Sequence, residues 1–238
     1  MRATEGSDSR VRVLVTLCIL IELILNTRQG MSTNHIELPE HAASQGPTLT
    51  EAFEKRRSVR DYTERSVTLA QIAQLLWAAQ GVNDPSGLRT APSAGALYPL
   101  ELVLLVGKVA GLDSGVYRYL PRHHALKLIA KADHRTRIAK AALGQAWIAN
   151  SPAVLVITAV YERTTRKYGQ RGKRYVHIEV GHAAQNVLLQ AAALRLGAAV
   201  VGAFDEAAVA DVLGLPESEH PLYLLPVGWP AHGVRARD

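Results

Sequence analysis

The sequence predicts an α+β sandwich, a mixed sheet flanked by helices, and three observations carry that expectation. Leu102 to Val106 and Ala153 to Val160 are uninterrupted apolar runs of strand length, as strands covered on both faces require. Val116 to Tyr119 and Ala125 to Ile129 form a hairpin across Pro121 to His124. Helical and strand patterns alternate irregularly around that hairpin, which argues against a doubly wound parallel sheet.

Residues 1–35 read as an extension ahead of one domain that spans residues 36–238, with no Pro/Gly/Ser-rich linker dividing it. Val11 to Leu25 is mostly apolar, but it is short for a membrane span and carries Arg12 and Glu22. The polar stretch Asn26 to Gly30 supplies no small-residue cleavage site. Met31 makes a sensible amino terminus, so a start placed too early is the first expectation and a loose membrane-surface anchor the second.

Thr48-Leu49-Thr50-Glu51 is a capping-box pattern, and it predicts a helix from Leu49 towards Arg57. Thr68-Leu69-Ala70-Gln71 repeats it, with Ile72, Leu75, Leu76 and Ala79 at helical spacing up to Gly81. A loop from Val82 to Thr90 leads into Ala91-Pro92-Ser93-Ala94-Gly95-Ala96-Leu97-Tyr98-Pro99, whose small residues and prolines describe a bent backbone open to close approach. After the hairpin, His134 to Leu143 is helical and stops at Gly144. Tyr175 to Leu196 is a long helix with Gly197 past its end, apolar on more than one face, as burial against a second subunit would demand. Ala198 to Ala203 reads as a strand, Asp205 caps a helix ending near Gly214, and Leu222 to Val227 is the last strand.

Lys and Arg total 27 against 21 Asp and Glu, a net charge of +6. Six bases and one acid between Glu162 and Arg174 give a local +5, so nearly all the excess lies there. The run belongs to no recognisable nucleic-acid module. It reads as a solvated loop, with a mobile lid drawing in an anionic partner as the alternative. The single cysteine, Cys18, excludes an internal disulfide and fits a reducing compartment, hence the cytoplasm.

Arg56-Arg57-Ser58-Val59-Arg60 sets three guanidinium groups and a hydroxyl within a turn or two, which suits a phosphate, though a basic helix end also satisfies the helix dipole. Competing chemistries fare worse. Ala91-Pro92-Ser93-Ala94-Gly95 lacks the first glycine of a nucleophile elbow and has no buried strand leading into it. His177 and His182 lie five apart and point about 140° away from each other on a helix, which rules out a shared zinc and leaves packing or hydrogen bonding. No Gly-x-Gly-x-x-Gly follows a strand, so a resident dinucleotide is not supported.

Taken with Leu75 to Gly81, Arg89 to Gly95, Glu179 to Asn186 and Pro226 to Pro230, the Arg-Arg-Ser-Val-Arg stretch resembles the flavin-dependent nitroreductase superfamily. The likeness runs from about Ile36 to Pro230 and is nearest to the SagB-type branch of thiazoline and oxazoline dehydrogenases. The resemblance implies an intertwined homodimer with flavin mononucleotide (FMN) at the interface. It assigns Arg56, Arg57, Ser58 and Arg60 to the phosphate and ribitol, Pro92, Ser93, Ala94 and Gly95 to the flavin-facing loop, and Val201, Gly202 and Ala203 to the N5 edge. Arg235 or Arg237 would complete the phosphate site. Hydride would pass through N5 by a ping-pong route, with NAD(P)H as a transient donor. The branch also implies a Lys-Tyr pair, for which Arg174-Tyr175 is taken as the match; an arginine is a poor base, which weighs against azoline oxidation. A small molecule, or a ribosomal peptide handed on by a cyclodehydratase partner, is the expected substrate, and a flavin-binding scaffold without turnover is the remaining alternative.

Overall fold

The computed structural model describes residues 35–41 and 46–231, so the expectations for residues 1–34, Arg235 and Arg237 lie outside the described residues. Seven strands form one sheet in the order β1-β6-β5-β3-β7-β9-β8. They are β1 (His35–Glu37), β3 (Leu100–Val106), β5 (Gly115–Leu120), β6 (Ala125–Ala130), β7 (Ala153–Ala159), β8 (Gly197–Ala198) and β9 (His220–Gly228). Each neighbouring pair within it is antiparallel. Parallel character enters through the Ser58–Ala198 bridge and a separate pair, β2 (Val67–Thr68) with β4 (Val109–Ala110).

The period of two along each strand divides the interior into two cores. Leu100, Leu102, Leu104 and Val106 of β3, with Leu155 and Ile157 of β7, face one core, where α2 (Leu69–Gln80) and α6 (Arg171–Ala193) pack. Val103, Leu105, Val154 and Val156 face the other, covered by α3 (Arg135–Ala141), α4 (Trp147–Asn150) and α7 (Glu206–Leu213). Strand β7 is buried at every residue, as its unbroken apolar run anticipates. Both capping boxes form: Thr48 and Thr68 accept from the backbone N–H of Glu51 and Gln71, opening α1 (Leu49–Lys55) and α2.

Three expectations change. The basic run is not a loop: it folds into α5 (Glu162–Tyr168), and α6 already begins at Arg171, ahead of the expected Tyr175. Arg and Lys are good helix formers, and their charges stand in water while Thr164 and Gly172 turn inward. The strand expected over Ala198 to Ala203 is two residues long, followed by one bridge from Val201 to Leu224. Gly197 allows that edge to form, because a Cβ there would lie 2.6 Å from Val59, whose N–H bonds to Ala198 O at 3.0 Å.

One end of the sheet is tied by charges. Arg118 makes a two-pronged contact with Glu219, 3.0 Å at both oxygens, and Thr158 donates to the same carboxylate. Arg118 and Arg163 also flank Glu101, at 3.7 and 2.6 Å. Glu219 is 5% exposed, so losing its partner leaves a buried charge uncompensated. Arg118→Ala is expected to lower stability by about 3 kcal/mol, read as a fall in the urea midpoint at unchanged slope.

Candidate functional site

The loop before β3 is bent by its own backbone. Gly95, Ala96 and Tyr98 all adopt positive φ, at 65°, 52° and 46°. Two residues with a Cβ in that region cost on the order of 1–2 kcal/mol each, and the strain is held by local bonds. The Tyr98 N–H donates to Ser93 Oγ at 2.9 Å, the Arg89 N–H donates to Tyr98 Oη at 3.1 Å, and the Arg89 guanidinium lies 4.6 Å over the Tyr98 ring. Gly95 lies close against α5. A Cβ there would meet Tyr168 Oη at 2.8 Å and Lys167 Nζ at 3.1 Å.

This loop and the start of α6 enclose a cavity of about 260 Å³ lined by Pro92, Ser93, Ala94, Tyr175, Ile178, Glu179 and His182. Glu179 is 2% exposed and occupies the buried stripe of α6 alongside Val176, Val180 and Ala183, and its Oε1 has no hydrogen-bond partner. Burial pushes its carboxyl up to about 7, opposed by the Ser93 hydroxyl and the Arg89 guanidinium. Arg89 is directed elsewhere, its Nη1 donating to Gln80 Oε1 at 2.8 Å. Tyr175 packs edge-on against Tyr168, with ring centres 5.2 Å apart.

The arginine cluster lies at the other end of the sheet. The Ser58–Ala198 bridge and the Tyr62–Pro230 bridge fix it to the β8–β9 edge. Arg57 donates to the Glu54 and Arg56 carbonyls, and Arg60 lies 5.7 Å over Trp147. Among the described residues none of the three guanidinium groups is ion-paired to a carboxylate. Val201, Gly202 and Ala203 continue along the same edge, with the Val201 N–H bonded to Leu224 O at 2.8 Å. The structure therefore brings Arg56, Arg57, Ser58 and Arg60 to the same edge as Val201, Gly202 and Ala203, and brings Pro92, Ser93, Ala94 and Gly95 together with Tyr175. It keeps the arginine segment apart from the loop, while residues 201–203 run back from the Leu224 level towards Tyr223. The loop enters β3 at Leu100, level with Ala159 and His220, whereas Ala198 pairs with Val227. Those two levels of β9 are separated by roughly 23 Å of strand.

A family model described as the nitroreductase family matches residues 53–229. The chain belongs to the nitroreductase family. MJ1384 of Methanocaldococcus jannaschii, a nitroreductase by name, is 47% identical over 196 residues, covering 82% of this chain and 96% of that one. A crystal structure from Ralstonia eutropha, also named as a nitroreductase, aligns at 31% identity with a TM-score of 0.75, over 85% of this chain and 92% of the other. The Escherichia coli microcin synthetase McbBCD complex, solved with truncated pro-MccB17, contains a chain that aligns at 25% identity with a TM-score of 0.66, over 84% and 77% of the two chains. The protein is thus an oxidoreductase on the nitroreductase fold, with a likeness to a peptide-processing member.

Sequence reasoning missed Glu179 as a site residue, although an acid on the apolar stripe of an amphipathic helix is itself the signal. It also passed over a literal Lys-Tyr pair, Lys167-Tyr168, which lies against Gly95, whereas Arg174 is exposed and absent from the cavity lining. His177 donates to or accepts from Tyr161 Oη at 2.5 Å. The raised Glu179 carboxyl has a consequence for stability. The folded chain keeps a proton that the unfolded chain releases near pH 4.5, so this contribution is full below 4.5 and is lost as pH rises through about 7. Glu179→Gln is expected to flatten the fall in melting temperature across that window, a difference worth up to about 3 kcal/mol; equal slopes in both proteins would contradict the assignment.

Proposed function

We propose that the protein is an FMN-dependent oxidoreductase that works as a homodimer, each flavin held between the arginine edge of one chain and the Ser93 loop of the other. The observation that supports this most directly is the separation of two complementary half-sites to opposite ends of one sheet. A phosphate dianion needs forked, charged donors, and Arg56 and Arg60 at the β8–β9 edge form no ion pair with a carboxylate among the described residues. A flat ring needs a close backbone, which the residues at 201–203 and the bent loop at 92–95 offer from two sides. When bound, the flavin supplies the hydride chemistry at N5. The chain's own part is to grip the phosphate, fix the ring plane and exclude water, while the backbone N–H groups of Gly202 and Ala203 stabilise negative charge arriving at the ring edge, that of Val201 being bonded to Leu224. NAD(P)H fits as a visiting donor, because no Gly-x-Gly-x-x-Gly motif follows a strand.

A second reading, an azoline dehydrogenase acting on a modified peptide beside a cyclodehydratase, is favoured by one specific observation. Lys167 and Tyr168 are held against Gly95, with Lys167 Nζ 5.4 Å over the Tyr168 ring. The objection raised by Arg174 falls away if Lys167-Tyr168 is the pair. The exposed bases Arg166, Lys173 and Arg174 of α5 and α6 suit an acidic peptide.

The purified protein is expected to show a flavin absorption band that bleaches on anaerobic NADPH addition. Arg56→Ala and Arg60→Ala are each expected to weaken FMN binding by roughly 1.5–3 kcal/mol, the scale of a charged hydrogen bond, measured by flavin fluorescence titration. A band that persists with NADPH would favour direct oxidation of a peptide substrate. No flavin even after reconstitution would leave a scaffold without turnover.

A further inference from the structure

We propose that Ser93 and Glu179 form a proton relay serving the cavity between the bent loop and α6, with Ser93 facing the substrate and Glu179 storing the proton behind it. The inference rests on the flavoenzyme reading for its redox partner, and on the geometry of this chain for everything else.

Ser93 Oγ accepts the Tyr98 N–H at 2.9 Å. That bond uses one lone pair and leaves the serine hydrogen free to point at another acceptor. Glu179 is the carboxyl that shares the cavity wall with it, and the Ser93 hydroxyl favours its ionised form. The arrangement is held rigidly, because Ser93 is closed into the loop by Tyr98, whose own ring is clamped under Arg89. Glu179 in turn has an oxygen with no partner, in a residue almost wholly removed from solvent. A structural carboxylate in such a place would be paired, since an unsatisfied buried acceptor costs stability. Arg89, the nearest candidate, spends its Nη1 on Gln80 instead, and Arg163 from α5 is committed to Glu101 at 2.6 Å. From α6 the facing titratable groups are Tyr175 and His182, and from α5 Lys167 and Tyr168 reach the loop at Gly95. Burial raises the Glu179 carboxyl to about 7, which suits a group that must both take and give a proton near neutrality.

The step balances as follows. A substrate C–H bond breaks with its electron pair, for which a bound flavin would supply the hydride acceptor. The proton that the oxidised substrate must also lose, from an adjacent N–H or C–H, passes to Ser93 Oγ as the serine hydrogen moves to the Glu179 carboxylate. The neutral acid then releases it to water once product leaves. Reduction of a substrate runs the same path backwards, with Glu179 as the donor.

The relay is tested on flavin-free protein labelled with ¹³C at glutamate side-chain carboxyls. One resonance is expected to titrate near neutral pH, to vanish in Glu179→Gln, and to move its midpoint upward in Ser93→Ala, because the serine bond favours the ionised form. With flavin bound, Glu179→Gln is expected to slow the half-reaction in which the substrate gains or loses its proton about 10²-fold or more, the range of general acid–base catalysis, and to abolish its dependence on pH near neutrality. A Glu179 resonance that titrates with the ordinary glutamates, or one unmoved by Ser93→Ala, overturns the relay. Failure to bind flavin would instead sink the functional reading and leave the carboxyl titration standing, so the two failures are separable.

Discussion

The register of the three central strands is the constraint on which the rest depends. β3, β7 and β9 pair antiparallel over their lengths, Leu100 with Ala159 and Val106 with Ala153 on one side, Ala153 with Val227 and Ala159 with His220 on the other. Because β7 is buried at every residue and its faces belong to two different cores, a slip by one position would exchange those faces. The register therefore fixes where each flanking segment can meet the sheet. The bent loop is delivered at the Leu100 level, the arginine segment at the Val227 level, and α6, 23 residues and roughly 34 Å long, runs beneath both. The proposal of a site shared between two chains is drawn from that separation more than from any single side chain.

Charge at the loop end of the sheet is used in two ways. Arg118, Glu219, Glu101 and Arg163 compensate one another, and their role is to make a buried polar corner tolerable. Glu179 has no such ion pair: it carries one oxygen without a partner, an elevated carboxyl and a pocket in front of it. Strained backbone at Ala96 and Tyr98 beside it points the same way, since such conformations persist where surrounding bonds over-determine them. The contrast between the paired corner and the unpaired acid is what marks the second as a site.

Much of this was legible in the sequence where short-range physics decides the outcome. Capping boxes at Thr48 and Thr68, the hairpin turn at 121–124, and the apolar runs of β3 and β7 are all local signals, and each element formed where it was expected. The segment at 198–203 was misread because its β-like composition serves a single bridge beside β9, where Gly197 and Val59 decide the spacing. The basic run is helical because Arg and Lys favour a helix, a preference that charge density alone does not reveal. Glu179 escaped notice for a different reason: its meaning lies in what it lacks, a partner, and no one-dimensional pattern records that. The Lys167-Tyr168 pair was plain in the sequence, but only the approach of α5 to Gly95 gives it a place.

The split of the binding site across two copies is the central proposal, and a crystal structure grown with FMN tests it most directly. The expected result is a dimer in which each flavin phosphate contacts Arg56, Ser58 and Arg60 of one chain while its ring lies against residues 92–95 of the other. A flavin whose phosphate and ring are both held by one chain, or one bound away from both segments, would contradict it.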